Sequence, residues 1–212
     1  IGFSFYILQN ISYLVDVYRE QIPAEQNLIA FALYLAYFPK MIAGPIERAK
    51  SFIPQLKQNK TITSVEIEKG IYLILLGLFR KIVIADRLAL FLPEKIFSSP
   101  ELYTFPERIL WILIFAFILY NDFAGYTSII RGVSVFFGID LSVNFKQPML
   151  ARSFSDFWAR WHISLSEWLR DYIFFPVRRW LSSKKPPSWL TLTIPPMITM
   201  AASGYWHGAY FS

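Results

Sequence analysis

The chain carries two histidines, and each directly follows a tryptophan: Trp161-His162 in a basic, aromatic stretch, and Trp206-His207 between Gly204 and Gly208. Histidine has an unperturbed pKa of about 6.5, so it takes up and releases protons near neutral pH. Two such groups beside indoles fit acid–base chemistry. Packed, hydrogen-bonded core imidazoles fit the same dipeptides equally well. There is no cysteine, which excludes disulfides, thiolate metal ligands and a cysteine nucleophile. No metal site is expected.

His207 follows a long uncharged run and has small neighbours, and glycine lets a second backbone or an acyl chain come close. A polar imidazole at such depth in an apolar chain is a functional-site hypothesis. The chemistry on offer is general base catalysis, in which His207 takes the proton of a hydroxyl as that hydroxyl attacks an ester or thioester carbonyl. No serine or cysteine nucleophile motif accompanies it, so direct transfer is expected rather than a covalent acyl-enzyme. His162 lies in Ser153 to Phe175, where Phe154, Phe157, Trp158, Trp161, Leu165, Trp168, Leu169 and Tyr172 share one face of a helix at 100° per residue. Asp156, Arg160, Glu167, Arg170 and Asp171 share the other. This pattern predicts one amphipathic interfacial helix, capped by Ser153 and Asp156, with His162 at the border of the apolar face. Asp156 and Arg160 have the favourable acid-before-base spacing. Interfacial anchoring by the tryptophans alone would explain the helix as well.

The elements that must position these residues are set by hydropathy. Apolar residues make up 55% of the 212 and the mean hydropathy is +0.38, above the roughly 45–50% apolar content of soluble domains. The expectation is a membrane protein, all-α, a multi-pass transmembrane bundle with bent or re-entrant and interfacial helices. Apolar runs cover Ile1 to Val17, Leu28 to Ala43, Gly70 to Leu92, Ile109 to Tyr126 and Trp189 to Trp206. They exceed strand length and do not alternate. Breaks at Pro39, Gly44-Pro45 and Pro195-Pro196 should face protein or a water-filled cavity. Charges within the runs need a reason: around Arg80-Lys81 and Asp86-Arg87 the segment is expected to end near Phe79, with the rest lying in the interface or Asp86 pairing with an arginine, and Asp171 is expected to hold Arg170 or a neighbouring helix. Asp122 ends the most hydrophobic run. Together with His162 and His207 it could form a proton relay, which keeps a transporter open as a second class of function.

The net charge of +6 sits in short connectors, Lys40 to Lys60 and Arg178 to Lys185, as on the cytoplasmic side of membrane proteins. The acidic connector from Pro93 to Arg108 is expected on the other side. No basic patch stands apart from a hydrophobic segment, so no nucleic acid partner is expected. Membrane lipid is. The sequence opens without Met or a basic n-region and stops just after its most informative motif. It is expected to be one membrane-embedded domain over 1–212, incomplete at both ends.

Several stretches resemble one family: Phe3 to Arg19 (FSFYILQNISYLVDVYR), Phe38 to Leu56 (FPKMIAGPIERAKSFIPQL), Leu76 to Ala89 (LGLFRKIVIADRLA), Asn121 to Gly132 (NDFAGYTSIIRG), Asn144 to Val177 and Ser203 to Ala209 (SGYWHGA). The chain resembles the membrane-bound O-acyltransferases (MBOAT), in particular the bacterial branch that O-acetylates alginate. The WHISLS and WHGA motifs at this separation carry the resemblance. It implies a multi-pass helical fold in a bacterial plasma or inner membrane, with a tunnel through the bilayer. It also implies a catalytic histidine at His207 and a second polar site residue at His162. No tightly bound cofactor is implied; an acyl donor such as acetyl-CoA arrives from the cytoplasm. The acceptor lies on the other face, with a periplasmic acetyltransferase as partner in modifying an exported polysaccharide. Trp158, Trp161, Arg160, Arg170, Asp171, Trp206 and Asp122 are the candidate lining of the tunnel or donor site. Arg160, Arg170 and Arg178 suit the phosphates of such a donor or of anionic lipid alike. Within the family, D-alanyl transfer to teichoic acid is the alternative. Tyr205 stands where relatives often carry leucine.

Overall fold

The computed structural model describes residues 3–208; Ile1, Gly2 and 209–212, including Ala209 of the last motif, lie outside the described residues. Among the described residues all regular structure is helical. In chain order the helices are α1 (Phe3–Tyr18), α2 (Leu28–Ala36), α3 (Ala49–Lys57), α4 (Ser64–Leu78), α5 (Asp86–Ala89), α6 (Phe105–Val135), α7 (Phe154–Trp158), α8 (Ile163–Leu169), α9 (Phe175–Ser183) and α10 (Ser188–His207). A π-helical segment, Phe79–Ala85, joins α4 to α5, and another, Arg170–Phe174, joins α8 to α9. The described part of each apolar run is mainly helical, although α2 stops at Ala36, short of the end of its run. The chain divides into two compact units, one of 55–141 and the other of 1–54 with 142–212.

In the unit of 55–141, two helices start on matching caps. Thr63 N donates to Glu66 Oε2 (2.8 Å) and Glu66 N to Thr63 Oγ1 (3.3 Å) at α4, and Thr104 N donates to Glu107 Oε2 (2.7 Å) at α6. Each pair satisfies amides that the first helical turn leaves open. α6 has 31 residues, about 46 Å at 1.5 Å per residue, against about 30 Å of bilayer hydrocarbon. Among the described helices it is the one both long and apolar enough to cross a membrane. Its first half exposes Ile109, Leu110, Ile112, Leu113 and Phe115, an apolar surface suited to lipid. Its second half is buried and polar at Ser128 and Ser134, whose hydroxyls donate to Ala124 O and Ile130 O (2.7 Å each) within the helix itself.

That second half meets α4 through glycine. A Cβ on Gly77 would lie 2.6 Å from Gly125 O, and one on Gly132 would lie 2.6 Å from Gly70 O. Two backbone-to-backbone contacts, seven residues apart on each helix, make the pair antiparallel. Small residues permit such approach where lipid supplies no hydrophobic drive between helices. Beyond the Gly77–Gly125 contact, Lys81 Nζ bridges Asp86 (2.7 Å) and Asp122 (2.6 Å). Of the two alternatives for this segment Asp86 is paired, with lysine in place of arginine, because the π-helical segment brings Lys81, five residues before it, within reach.

The other unit is organised around a polar face of α1. Gln9, Ser12 and Asp16 recur along it and are buried. Lys40, fully buried, donates to Gln9 Oε1 and to Tyr34 O, with its ammonium over the rings of Tyr34 (4.7 Å) and Phe52 (4.5 Å). Trp168 Nε1 donates to Leu8 O (2.9 Å), and Tyr172 Oη to Asp16 Oδ1 (2.6 Å). Phe5, Leu8, Ile46, Leu165, Trp168 and Leu169 pack as the apolar core beside these bonds. Pro39, Gly44 and Pro45 are buried in protein as expected. At Pro195-Pro196 α10 continues through both prolines, with Pro195 fully buried in protein and Pro196 exposed.

The glycine contacts generate a test. Gly77→Val or Gly125→Val must push α4 and α6 apart or strain a carbonyl, an overpacking cost of about 1–3 kcal/mol or more. Purified full-length protein carrying either change is expected to melt several degrees lower and to yield less monodisperse material. Wild-type melting in both variants would contradict the close approach.

Candidate active site

The helix expected over Ser153 to Phe175 begins as the sequence indicates and then breaks. Ser153 Oγ accepts from Asp156 N (3.1 Å), and Asp156 accepts from Arg160 Nε (2.6 Å) and Arg152 N (3.0 Å). The Arg160 guanidinium holds the Asp156 carboxyl below its ordinary pKa. α7 ends at Trp158 and α8 starts only at Ile163. The cause is a distant strand of chain that takes the hydrogen bonds the helix would have made. Lys146 N donates to Arg160 O (2.9 Å), Ile163 N to Asn144 O (2.9 Å) and Ser164 N to Asn144 Oδ1 (3.1 Å). Ser164 Oγ in turn accepts from Ile46 N (2.9 Å). His162, at the break, has φ 41° and ψ 53°, a left-handed conformation that costs a residue with a Cβ about 1–2 kcal/mol.

That turn buries the ring. His162 is 3% exposed, stacked on Phe5 (centroids 6.3 Å apart, 16° between planes) and met edge-on by Trp206 (6.3 Å, 80°). Phe145 closes a third side (6.3 Å). His207 is the last residue of α10, exposed, with its ring 4.7 Å from that of Trp206. The hydropathy pattern predicts the opposite order, with His207 deep and His162 at a border; among the described residues His162 is the buried ring and His207 the exposed one. The hydrophobic run before His207 gives its position along α10 and not its face, while the break at His162 turns that ring inward. Burial, and then the nearby charge of His207, push the His162 pKa down to about 4. At neutral pH it is an uncharged imidazole.

Trp206 thus touches both imidazoles, bringing residues 162 and 207 together. Beside them is a cleft of about 490 Å³, lined by Trp158, Ile163, Ser166, Arg170, Met200 and Ser203 among others. Ile163 is the neighbour of His162, and Ser203 lies one helical turn before His207. The walls are mostly apolar with a few hydroxyls, and Glu167 and Arg170 add charge. Pockets that bind small organic ligands have this make-up.

Of the other candidate residues, Trp158 and Arg170 line the cleft, and Trp161 packs between Phe145 (5.1 Å) and Phe157 (5.6 Å). Arg160 is held by Asp156. Asp171 takes Arg170 Nε (2.9 Å) and Arg48 Nη2 (3.3 Å) from the stretch before α3, as expected of a structural carboxylate. Asp122 belongs to the unit of 55–141, where Lys81 holds it. Asn144, Ser164 and the buried Lys40 and Glu47 are residues of this framework that motif and spacing do not single out. Lys40 and Glu47 stand out only as charged residues within the mostly apolar FPKMIAGPIER, while Asn144 and Ser164 carry no such signal.

Comparison with known proteins adds to this geometry. The model of the membrane-bound O-acyltransferase family, MBOAT, matches residues 3–212. The probable alginate O-acetylase AlgI of Pseudomonas putida is 39% identical over 212 residues, the whole of this chain and 42% of that protein. A peptidoglycan O-acetyltransferase of Helicobacter pylori is 32% identical over 99% of this chain and 44% of that protein. A teichoic acid D-alanyltransferase of Bacillus subtilis is 28% identical over 98% of this chain and 53% of that protein. The chain spans about half the length of these relatives or less.

The buried neutral imidazole has a consequence for acid stability. Its folded pKa lies below the unfolded value of about 6.5, so its contribution is complete above that pH and is lost as pH falls towards about 4. The difference corresponds to roughly 3 kcal/mol. In His162→Asn, whose side chain tolerates left-handed backbone, the melting temperature of the full-length protein is expected to fall less steeply between pH 7 and 4.5 than in wild type. Parallel curves would contradict it.

Proposed function

The chain belongs to the membrane-bound O-acyltransferase family, and from that premise we propose that it forms the histidine-bearing part of an enzyme that moves an acyl group, most simply acetyl, onto a hydroxyl of an exported polysaccharide. The observation that carries the reading is the meeting of His162, Trp206 and His207 beside a mostly apolar cleft. His207, the more accessible imidazole, is the general base. It takes the proton of an acceptor hydroxyl while the hydroxyl oxygen bonds to the donor's carbonyl carbon; the carbonyl–sulfur bond of a thioester donor then breaks and the thiolate leaves, protonated by the imidazolium. His162, neutral and fixed, is its polar partner. A donor such as acetyl-CoA enters from the cytoplasm, and Arg170 on the cleft wall suits its anionic end. No tightly bound cofactor is needed for this step.

Acetyl is preferred because two of the three relatives above are named as O-acetyl-transferring proteins and are more similar than the D-alanyltransferase. An alginate-like exopolysaccharide is the acceptor on that reading, a periplasmic acetyltransferase its partner, and a multi-pass protein of the bacterial inner or plasma membrane its setting. The exposed apolar surface and the length of α6 support a membrane setting. Teichoic acid D-alanylation is the same chemistry with another acyl group. A proton relay through Asp122 has less support, since Lys81 already engages that carboxylate.

His207→Ala in the full-length protein is expected to lower polysaccharide O-acetylation at least ~100-fold, the scale of a lost general base. Unchanged acetylation at normal protein abundance would sink the assignment. Donor-independent proton flux lost in the same variant would point to a relay instead.

A further inference from the structure

We propose that Asn144 is the positioning residue of this site: its side chain holds the backbone turn that sets the His162 ring against Phe5 and Trp206. The inference rests on the acyl-transfer reading above and adds a residue to it. His162 is one of the few residues with a Cβ in left-handed backbone, and such a conformation persists only where the surroundings dictate it. Here both amides after His162 are claimed by one residue. Ile163 N donates to Asn144 O (2.9 Å) and Ser164 N to Asn144 Oδ1 (3.1 Å). These are the donors that a continuous helix would direct at residues 159 and 160, so withdrawing them is what stops α7 from running into α8.

Asn144 is itself fixed. It is 1% exposed, and the residues around it are tied on either side: Ser142 N and Oγ donate to Glu47 (2.6 and 3.1 Å), and Lys146 N donates to Arg160 O (2.9 Å). Its main-chain acceptor survives any substitution, so the side chain contributes the Ser164 bond alone. Nδ2 is buried with no hydrogen-bond partner among the described residues. The function of the amide therefore resides in its oxygen. This predicts an unusual substitution pattern: aspartate, which keeps an acceptor at that point, should serve, and leucine of similar size should not. A residue needed only to fill space would show the reverse order.

The test uses the full-length protein with acetyl-CoA as donor and the polysaccharide as acceptor. Asn144→Ala and Asn144→Leu are expected to lower kcat by ~100-fold, the effect of misplacing a reacting group by about 1 Å, with KM for the donor changed less than about threefold. Asn144→Asp is expected to recover most of kcat. If Asn144→Ala does not accumulate, the comparison of Asn144→Leu with Asn144→Asp decides. Equal losses in those two, or wild-type kcat in Asn144→Leu, would overturn the proposal. His207→Ala is run beside them: its inactivity with an active Asn144→Leu leaves the catalytic reading standing and removes only the positioning role, whereas an active His207→Ala removes both.

Discussion

One hydrogen-bonded junction ties together three parts of the chain that are far apart in sequence. Ile46 N reaches Ser164 Oγ across 118 residues, and Ser164 N reaches Asn144 Oδ1 across 20. In an apolar chain a buried amide without a partner is costly, so each of these bonds constrains where the others fall. The loop before α3, the segment after residue 141 and the start of α8 meet at Ser164, which is 5% exposed. The core of Phe5, Leu8, Ile46, Leu165, Trp168 and Leu169 assembles around this point. Break the junction, and helix α7 has every local reason to continue through His162.

A second constraint is the cation of Lys40. A buried ammonium loses its hydration, and the loss is offset in part by an amide oxygen, a backbone carbonyl and two aromatic faces. Glycine at position 44 is required by the same packing, because a Cβ there would lie 2.4 Å from Lys40 Cα. Seven residues after Lys40, Glu47 binds Ser142. The short stretch from Lys40 to Arg48 therefore anchors α1, the core and the segment that leads to Asn144. Its polar residues are the framework on which the imidazole is mounted.

The helices were legible because long apolar runs without alternation have few other solutions. Ser153 and Asp156 also announced the start of α7 correctly. The break four residues later was not legible, since the periodicity from Ser153 to Phe175 is locally consistent and what interrupts it comes from residues 46 and 144–146. The relative depth of the two histidines failed for a related reason. Flanking glycines and a hydrophobic run describe the neighbourhood of His207 along the chain, but burial is decided by which elements pack over a face. The partnership of the two Trp-His dipeptides was suggested by their motifs, and only the fold brings Trp206 against both rings. Asn144 offered no sequence signal beyond being polar, because its role is to receive two amides that are nineteen and twenty residues away.

The paired glycines of α4 and α6 act as a vernier. Residue numbers rise along one helix as they fall along the other: Gly70–Gly132 and Gly77–Gly125 lie on one alignment, and Lys81–Asp122, just past α4 in the π-helical segment, falls one residue off it. Sliding either helix by a single residue would set a Cβ against a carbonyl at both crossings and carry the ammonium away from its carboxylate. Intermediate offsets have no stable position. The two helices are therefore indexed, not merely packed, with their relative offset fixed by the carbonyls at the two crossings.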